Sequence, residues 1–188
     1  MNVCLLIILL RSSFAAAAVF PKFTLQLSEN YMSDWVLILG GSTGHGGATA
    51  KRLAQDGYGI IAFHFDRGEV KQLAEELKTE INEITGGRCH YFNTNAAAVK
   101  TMDEYIPRIS EITGGNPVKL LLHSIAFGTT TNFFGDKPVT QKQMDMTVHV
   151  MGNSLLYWTQ KLYDAKLLGE GSRVLGLTSE GNYVAMEG

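Results

Sequence analysis

The chain has 188 residues, 45% of them hydrophobic, which is the length of one domain with enough apolar content to bury a core. Its net charge of −2 comes from intermixed basic and acidic residues, so there is no electrostatic case for nucleic acid or an anionic membrane as partner. Two isolated cysteines, Cys4 and Cys89, are too few for a disulfide framework or a zinc site, and no metal is expected.

Residues 1–31 stand apart from the pattern that follows. An apolar run over 3–10 is interrupted by Arg11, Ser12 and Ser13, and a second run covers 14–20. No basic residue precedes the first run, as a signal peptide would require. Arg11 also breaks the run well short of the roughly twenty apolar residues of a membrane span. Met32 leads almost directly into the first strand. Three readings of the extension stay open: an over-extended gene start, a leader, or an anchor. In each, it is expected to stay out of the sheet, and the domain proper is expected over 32–188, in the cytoplasm.

From Trp35 onward, strand-like runs alternate with amphipathic helices, which predicts a parallel sheet covered on both faces. The first strand covers 35–39, and a glycine turn leads to a helix over 47–54 with Gly57 past its end. The second strand covers 60–65. Val70, Leu73, Leu77, Ile81 and Ile84 recur at helical intervals, and Gly86 with Gly87 closes that helix. A short third strand covers 90–92. Thr101 and Glu104 have the spacing of a capping box, followed by a stripe of Met102, Tyr105, Ile106, Ile109 and Ile112. Pro107 should bend or shorten that helix. The fourth strand is 118–122, and a polar loop spans 128–138. Thr140 can cap a long helix reaching about residue 168. The fifth strand is 173–177, expected to be an unpaired apolar edge. The expected fold is α/β, a doubly wound parallel Rossmann sheet of strand order 3-2-1-4-5 with right-handed crossovers.

The chemistry starts at the end of the first strand, in Gly40-Gly41-Ser42-Thr43-Gly44-His45-Gly46. A strand that ends in glycines and opens a helix presents backbone N–H groups to an anion, and the missing side chains let a pyrophosphate approach. The spacing G-x-x-x-G-x-G resembles the first turn of the short-chain dehydrogenase/reductase family. That resemblance implies NAD(P)H as cofactor, with Gly40, Ser42, Thr43, Gly44 and Gly46 around its phosphates. Asp66 lies about twenty residues past Gly46, the distance at which an acid binds the ribose 2′-hydroxyl. Arg67, next to it, could instead pair with the 2′-phosphate of NADP. NAD and NADP both stay open. Asn93 follows the third strand, where the family usually has an Asp on the adenine side, and an amide can both accept and donate.

At the fourth strand, His123-Ser124-Ile125-Ala126-Phe127 resembles the enoyl-acyl-carrier-protein reductases, a divergent branch of the same superfamily. The resemblance implies that His123, Ser124 and Ile125 line the nicotinamide ribose and the mouth of a substrate pocket. His149 stands where the family usually has an Asn that holds a proton-relay water. Trp158, Leu162 and Tyr163 read as core or subunit-contact residues, because this helix commonly forms part of the family's dimer interface, and a homo-oligomer is implied. Ser179 aligns with the serine that bonds the substrate carbonyl, and is the catalytic candidate. Enoyl reductases usually have a tyrosine there, so the chain mixes features of both branches.

The family's proton donor is the Tyr of a Y-x-x-x-K motif. After Ser179 the remaining tyrosine is Tyr183, and Glu187, not Lys, stands four residues on. A Glu disfavours the phenolate. The resemblance covers residues 34–188, about two thirds of a usual member. It implies an oxidoreductase acting on a small-molecule or acyl-thioester substrate, either an enoyl thioester as in fatty-acid synthesis or a ketone. This chain by itself is expected to be inactive. Two alternatives come from other classes: a non-catalytic nucleotide-binding fragment, and an S-adenosylmethionine-dependent methyltransferase. Ser42 and Thr43 in the turn, with His-Ser-Ile-Ala at the fourth strand, argue against the methyltransferase.

Overall fold

A computed structural model describes residues 4–10 and 34–179. In chain order the elements begin with β1 (Cys4–Leu10), β2 (Trp35–Leu39), α1 (Gly44–Gln55), β3 (Gly59–His64), α2 (Gly68–Thr85) and β4 (Cys89–Asn93). They continue with α3 (Val99–Thr113), β5 (Leu120–His123), α4 (Gln141–Val148), α5 (Ser154–Asp164) and β6 (Arg173–Ser179). All strands run parallel, in the order β1-β6-β5-β2-β3-β4. Counted from Trp35, the last five give the order 3-2-1-4-5 that the alternation of strands and helices predicts.

Every residue of β2 and β3 is buried, as expected of central strands covered on both faces. The two-residue strand period sorts them into two cores. Leu37, Leu39, Ile61 and Phe63 meet Met102, Ile109, Trp158 and Leu162 on one face. Val36, Ile38, Ile60 and Ala62 meet Ala50, Ala54 and Ile81 on the other. Aromatic packing ties the first core together, with Phe63 5.2 Å from the Trp158 ring and 5.1 Å from Tyr105. The Trp158 indole N–H, fully buried, donates to the Ala96 carbonyl at 2.8 Å, so its polar atom costs little to bury.

Several expectations are corrected. Part of the N-terminal extension does join the sheet: β1 lies beside β6 in continuous register from Cys4 opposite Arg173 to Leu10 opposite Ser179. An apolar, strand-prone run satisfies the N–H and C=O groups that β6 would otherwise leave bare, so β6 is not an edge.

Helix α3 starts at Val99, with Ala98 rather than Thr101 at its N-cap. The Asn95 side chain accepts from the Ala97 N–H at 3.0 Å and turns the chain two residues early. Thr101 is buried within the helix, its hydroxyl 3.4 Å from that of Thr94. The helix is also not shortened at Pro107 but runs on to Thr113. Fully buried Met102 and Ile109, on either side of the proline, hold it to the sheet and outweigh the one lost backbone bond.

The long helix after Thr140 is not continuous. The capping box forms as expected of a threonine there, with Gln143 as its partner. A π-helical turn over His149–Asn153 then separates α4 from α5. The helix ends at Asp164, not near 168, because Lys166 adopts a left-handed φ of 59° and the Leu167 N–H closes back on the Leu162 carbonyl at 2.8 Å. Leu167 and Leu168 are thereby turned into the core. Among the described residues, no helix is long and apolar enough to cross a membrane.

Candidate functional site

The C-terminal ends of β2, β3, β4 and β5 share one edge of the sheet, and the turn after β2 is its centre. Gly40 and Gly41 both donate their N–H groups to the Phe63 carbonyl, at 2.9 and 3.0 Å. Their role is thus to fold the turn back onto β3, and these two donors are already used. A Cβ at Gly40 would lie 2.4 Å from the Ser124 carbonyl oxygen, and one at Gly46 would lie 1.9 Å from the Gly40 carbonyl oxygen. These two glycines are needed by the protein's own packing. Gly44 differs: its φ is +55°, and a Cβ there would meet no protein atom within 4 Å.

Helix α1 opens at Gly44, and the Thr43 side chain makes no capping bond. Among the described residues, the N–H groups of its first turn take no side-chain acceptor, and an uncapped N-terminus beside an open glycine is a place for an anionic oxygen. Thr43 is exposed, while Ser42 is 9% exposed and tucked under the turn. The residues present fit a bound pyrophosphate on the observation that the open space and the free donors coincide.

Beside the turn, Asp66 follows β3. His64 Nδ1 lies 2.9 Å from Asp66 Oδ2. Asn93, opposite His64 in the β3–β4 register, grips the Asp66 backbone twice: its Oδ1 accepts from the Asp66 N–H at 3.1 Å and its Nδ2 donates to the Asp66 carbonyl at 3.0 Å. The Asn93 amide is thus committed to this loop. Arg67 is exposed, forms the N-cap of α2, and takes no ion-pair partner among the described residues. Tyr91 donates its hydroxyl to the Gly41 carbonyl at 3.2 Å, and burial pushes its phenol up, with Cys89 adding to the effect.

The fourth-strand residues divide. Ser124 donates its N–H to the Leu39 carbonyl at 2.7 Å, which ties β5 to β2 at the edge, and Ile125 packs on the core. His123 turns inward, 2% exposed, with Nε2 2.8 Å from the Ser154 hydroxyl. That hydroxyl donates to the Val150 carbonyl at 2.7 Å, so it accepts from His123, whose Nε2 carries the proton. Burial holds His123 below the ordinary histidine value of 6.5, against smaller opposing effects of backbone hydrogen bonds. His149, at the start of the π-helical turn, has Nε2 2.9 Å from the Ala97 carbonyl. His123 thus links the end of β5 to α5, and His149 links the π-helical turn to the loop before α3.

Ser179 is the last described residue of β6 and is paired with Leu10; only its backbone is described. Tyr183 and Glu187 lie outside the described residues. The sequence does contain one Tyr-x-x-x-Lys, Tyr157 with Lys161, but it precedes Ser179 and lies on α5. There the Lys161 ammonium pairs with Asp103 of α3 at 2.5 Å, and the Tyr157 ring lies 6.0 Å from that of His149. Sequence reasoning also passed over His64 and Tyr91 at this edge. His64 was legible only as a polar side chain two residues from Asp66 on the same strand face; Tyr91 carried no signal beyond its strand.

The comparisons fit this geometry. The family model of short-chain dehydrogenases matches residues 34–187. No curated protein matches in sequence. Among solved structures, a short-chain dehydrogenase/reductase from Serratia marcescens is similar with a TM-score of 0.68 at 19% identity, covering 84% of this chain and 60% of that one. A short-chain dehydrogenase from Burkholderia cenocepacia, solved in complex with NADP, gives 0.59 at 24% identity, with 78% and 55% covered. A 3-oxoacyl-[acyl-carrier protein] reductase from Brucella melitensis, in complex with NAD, gives 0.65 at 20% identity, with 82% and 58% covered. The chain spans about 60% or less of the length of these structures. With the family model covering most of its residues, the chain belongs to the short-chain dehydrogenase family.

Proposed function

We propose that the sheet edge binds NAD(P)H and that the protein is an oxidoreductase of the short-chain type, reducing an enoyl thioester or a ketone. The observation that carries this reading is the uncapped start of α1 beside the open Gly44, with Asp66 held next to it. The first-turn N–H groups of α1 would hold the pyrophosphate, and Asp66 or Arg67 would meet the adenosine ribose. Bound there, the cofactor would supply a hydride, while the protein supplies position and electrostatics. Ser124 and Ile125 stand at the strand end where the nicotinamide side would lie, and His123 would act there from below, through the helix it braces. Ser179 is proposed to bond the substrate carbonyl. The neighbours in complex with NADP and with NAD support the cofactor class, and the 3-oxoacyl-[acyl-carrier protein] reductase supports an acyl-thioester substrate. A cytoplasmic homo-oligomer is the expected working form.

The tyrosine after Ser179, Tyr183, has Glu187 rather than a lysine four residues on, and we propose that the 188-residue chain binds cofactor without turning it over. The test is a thermal-shift titration of the full chain with NADH, NADPH and S-adenosylmethionine, followed by an assay of NAD(P)H oxidation with crotonyl and longer enoyl thioesters and simple ketones. The expected result is stabilisation by a dinucleotide alone and no turnover above the buffer rate. Stabilisation by S-adenosylmethionine alone would overturn the cofactor reading, and turnover would overturn the stated need for the tyrosine.

A further inference from the structure

We propose that His64 decides which dinucleotide the chain selects, by locking the Asp66 carboxylate in place to favour a ribose 2′-hydroxyl over a 2′-phosphate. This rests on the cofactor reading above and deepens it.

His64 is the last residue of β3, and its side chain is 1% exposed. A carboxylate oxygen only accepts, so the 2.9 Å contact means that Nδ1 carries a proton and donates it to Asp66 Oδ2. The backbone on which this pair sits is pinned independently. Asn93 holds the Asp66 N–H and carbonyl at 3.1 and 3.0 Å, and the Thr94 N–H donates to the His64 carbonyl at 2.7 Å. Asp66 keeps 22% of its side chain exposed, and its other oxygen, Oδ1, takes no hydrogen bond among the described residues. One carboxylate oxygen is therefore free, at a position fixed before any ligand arrives, which lowers the ordering cost of binding.

The discrimination follows from the chemistry of the two ribose substituents. A hydroxyl donates to a carboxylate, whereas a phosphate only accepts and brings a like charge. An untethered Asp66 could rotate away from a 2′-phosphate and leave it to the neighbouring Arg67, which is exposed and has no ion-pair partner among the described residues. Tethered to a buried imidazole, Asp66 cannot rotate without breaking a charge-assisted hydrogen bond. His64 thus tips the contest between Asp66 and Arg67 toward the acid, and the ligand class is NADH rather than NADPH. His64 touches neither ligand; it is a positioning residue.

The experiment measures affinities of the full chain for NADH and for NADPH by fluorescence titration, in wild type and in three variants. His64→Leu removes the donor. His64→Gln moves an amide out to the Nε2 position, and His64→Asn keeps a donor near Nδ1. Wild type should prefer NADH. His64→Leu and His64→Gln should shift the NADH-to-NADPH affinity ratio by about tenfold toward NADPH, the effect of one hydrogen bond to a charged group. His64→Asn should stay within about threefold of wild type, well inside that effect. If His64→Leu does not fold, the contrast between the two amide variants carries the test. A purely structural role would weaken both dinucleotides equally and leave the ratio unchanged, which overturns the proposal. Wild-type preference for NADPH overturns it too. Binding of neither dinucleotide by wild type overturns the cofactor reading itself, and is distinguishable from the other two results.

Discussion

Substituting alanine at Gly44 and at Gly46 separates a glycine kept for a ligand from one kept for packing. At Gly46 the new Cβ would lie 1.9 Å from the Gly40 carbonyl oxygen and 3.1 Å from the Ser124 hydroxyl. An ordinary carbon–oxygen approach is about 3.3 Å, so the start of α1 must move by more than an ångström. It has little freedom to do so, because Ala50 and Ala54 of the same helix are 0% and 2% exposed against the sheet. The cost falls at the upper end of overpacking, about 3 kcal/mol, against a total stability of about 5–15 kcal/mol for a domain. At Gly44 the Cβ finds open space, and only the left-handed φ of +55° is disfavoured. That costs about 1 kcal/mol. Urea unfolding followed by tryptophan fluorescence gives both values, since Trp35 and Trp158 are buried in the native state. With an m-value of about 1–3 kcal/mol/M, the Gly46→Ala midpoint should fall by about 1 M or more, and the Gly44→Ala midpoint by less than half as much. Equal midpoints, or Gly44→Ala as the more damaging change, would refute the division of roles.

Two further outcomes follow from burial. His123 is held below 6.5, so as pH falls through that value the unfolded chain takes up its proton first and the native state loses stability. His90 acts in the same direction, through burial and then Arg108, so His123→Gln should flatten the slope of stability on the acid side of pH 6.5 only in part. An unchanged slope in chemical denaturation series would sink this account. The Cys89 thiol is pushed up to about 12 by burial, against a smaller opposing effect of Lys78. Since the thiolate is the nucleophile, iodoacetamide at pH 8 should leave Cys89 unmodified in the native protein and alkylate it in urea. Peptide mapping that found equal labelling in both would contradict the burial.

What could be read in the sequence was what local pattern dictates. The strands over β2, β3 and β5 are near-continuous apolar runs, and the glycine turn after β2 has a spacing with a mechanical meaning, so order and edge both follow. Element limits set by tertiary contacts were not legible. Pro107 sits mid-helix because Met102 and Ile109 are buried on either side of it. The end of α5 depends on a left-handed Lys166, where glycine at 169 was the obvious local stop. At the site, Asp66 and Asn93 were legible as polar residues at strand ends, yet their bonds to one another were not, because strand pairing brings together residues 27 positions apart. His123 had the right place and the wrong direction: whether a strand-end side chain faces the cleft or the core is decided by Ser154, thirty-one residues away.

The pairing of β1 with β6 makes the two ends of the described chain partners, and that sets an order of assembly. β2 pairs with β3, and β3 with β4, across one crossover helix each, and β5 joins β2 once α3 is complete. β1 is synthesised well before its partner β6, with every other described element between them. At typical elongation rates it waits on the order of ten seconds with an apolar run unpaired. In refolding from denaturant, its docking closes the largest loop between paired strands among the described residues, which places it at the end of the folding sequence. The outermost strand is also the one that a second molecule can donate at least cost, so concentrated refolding should exchange β1 between chains and yield swapped dimers.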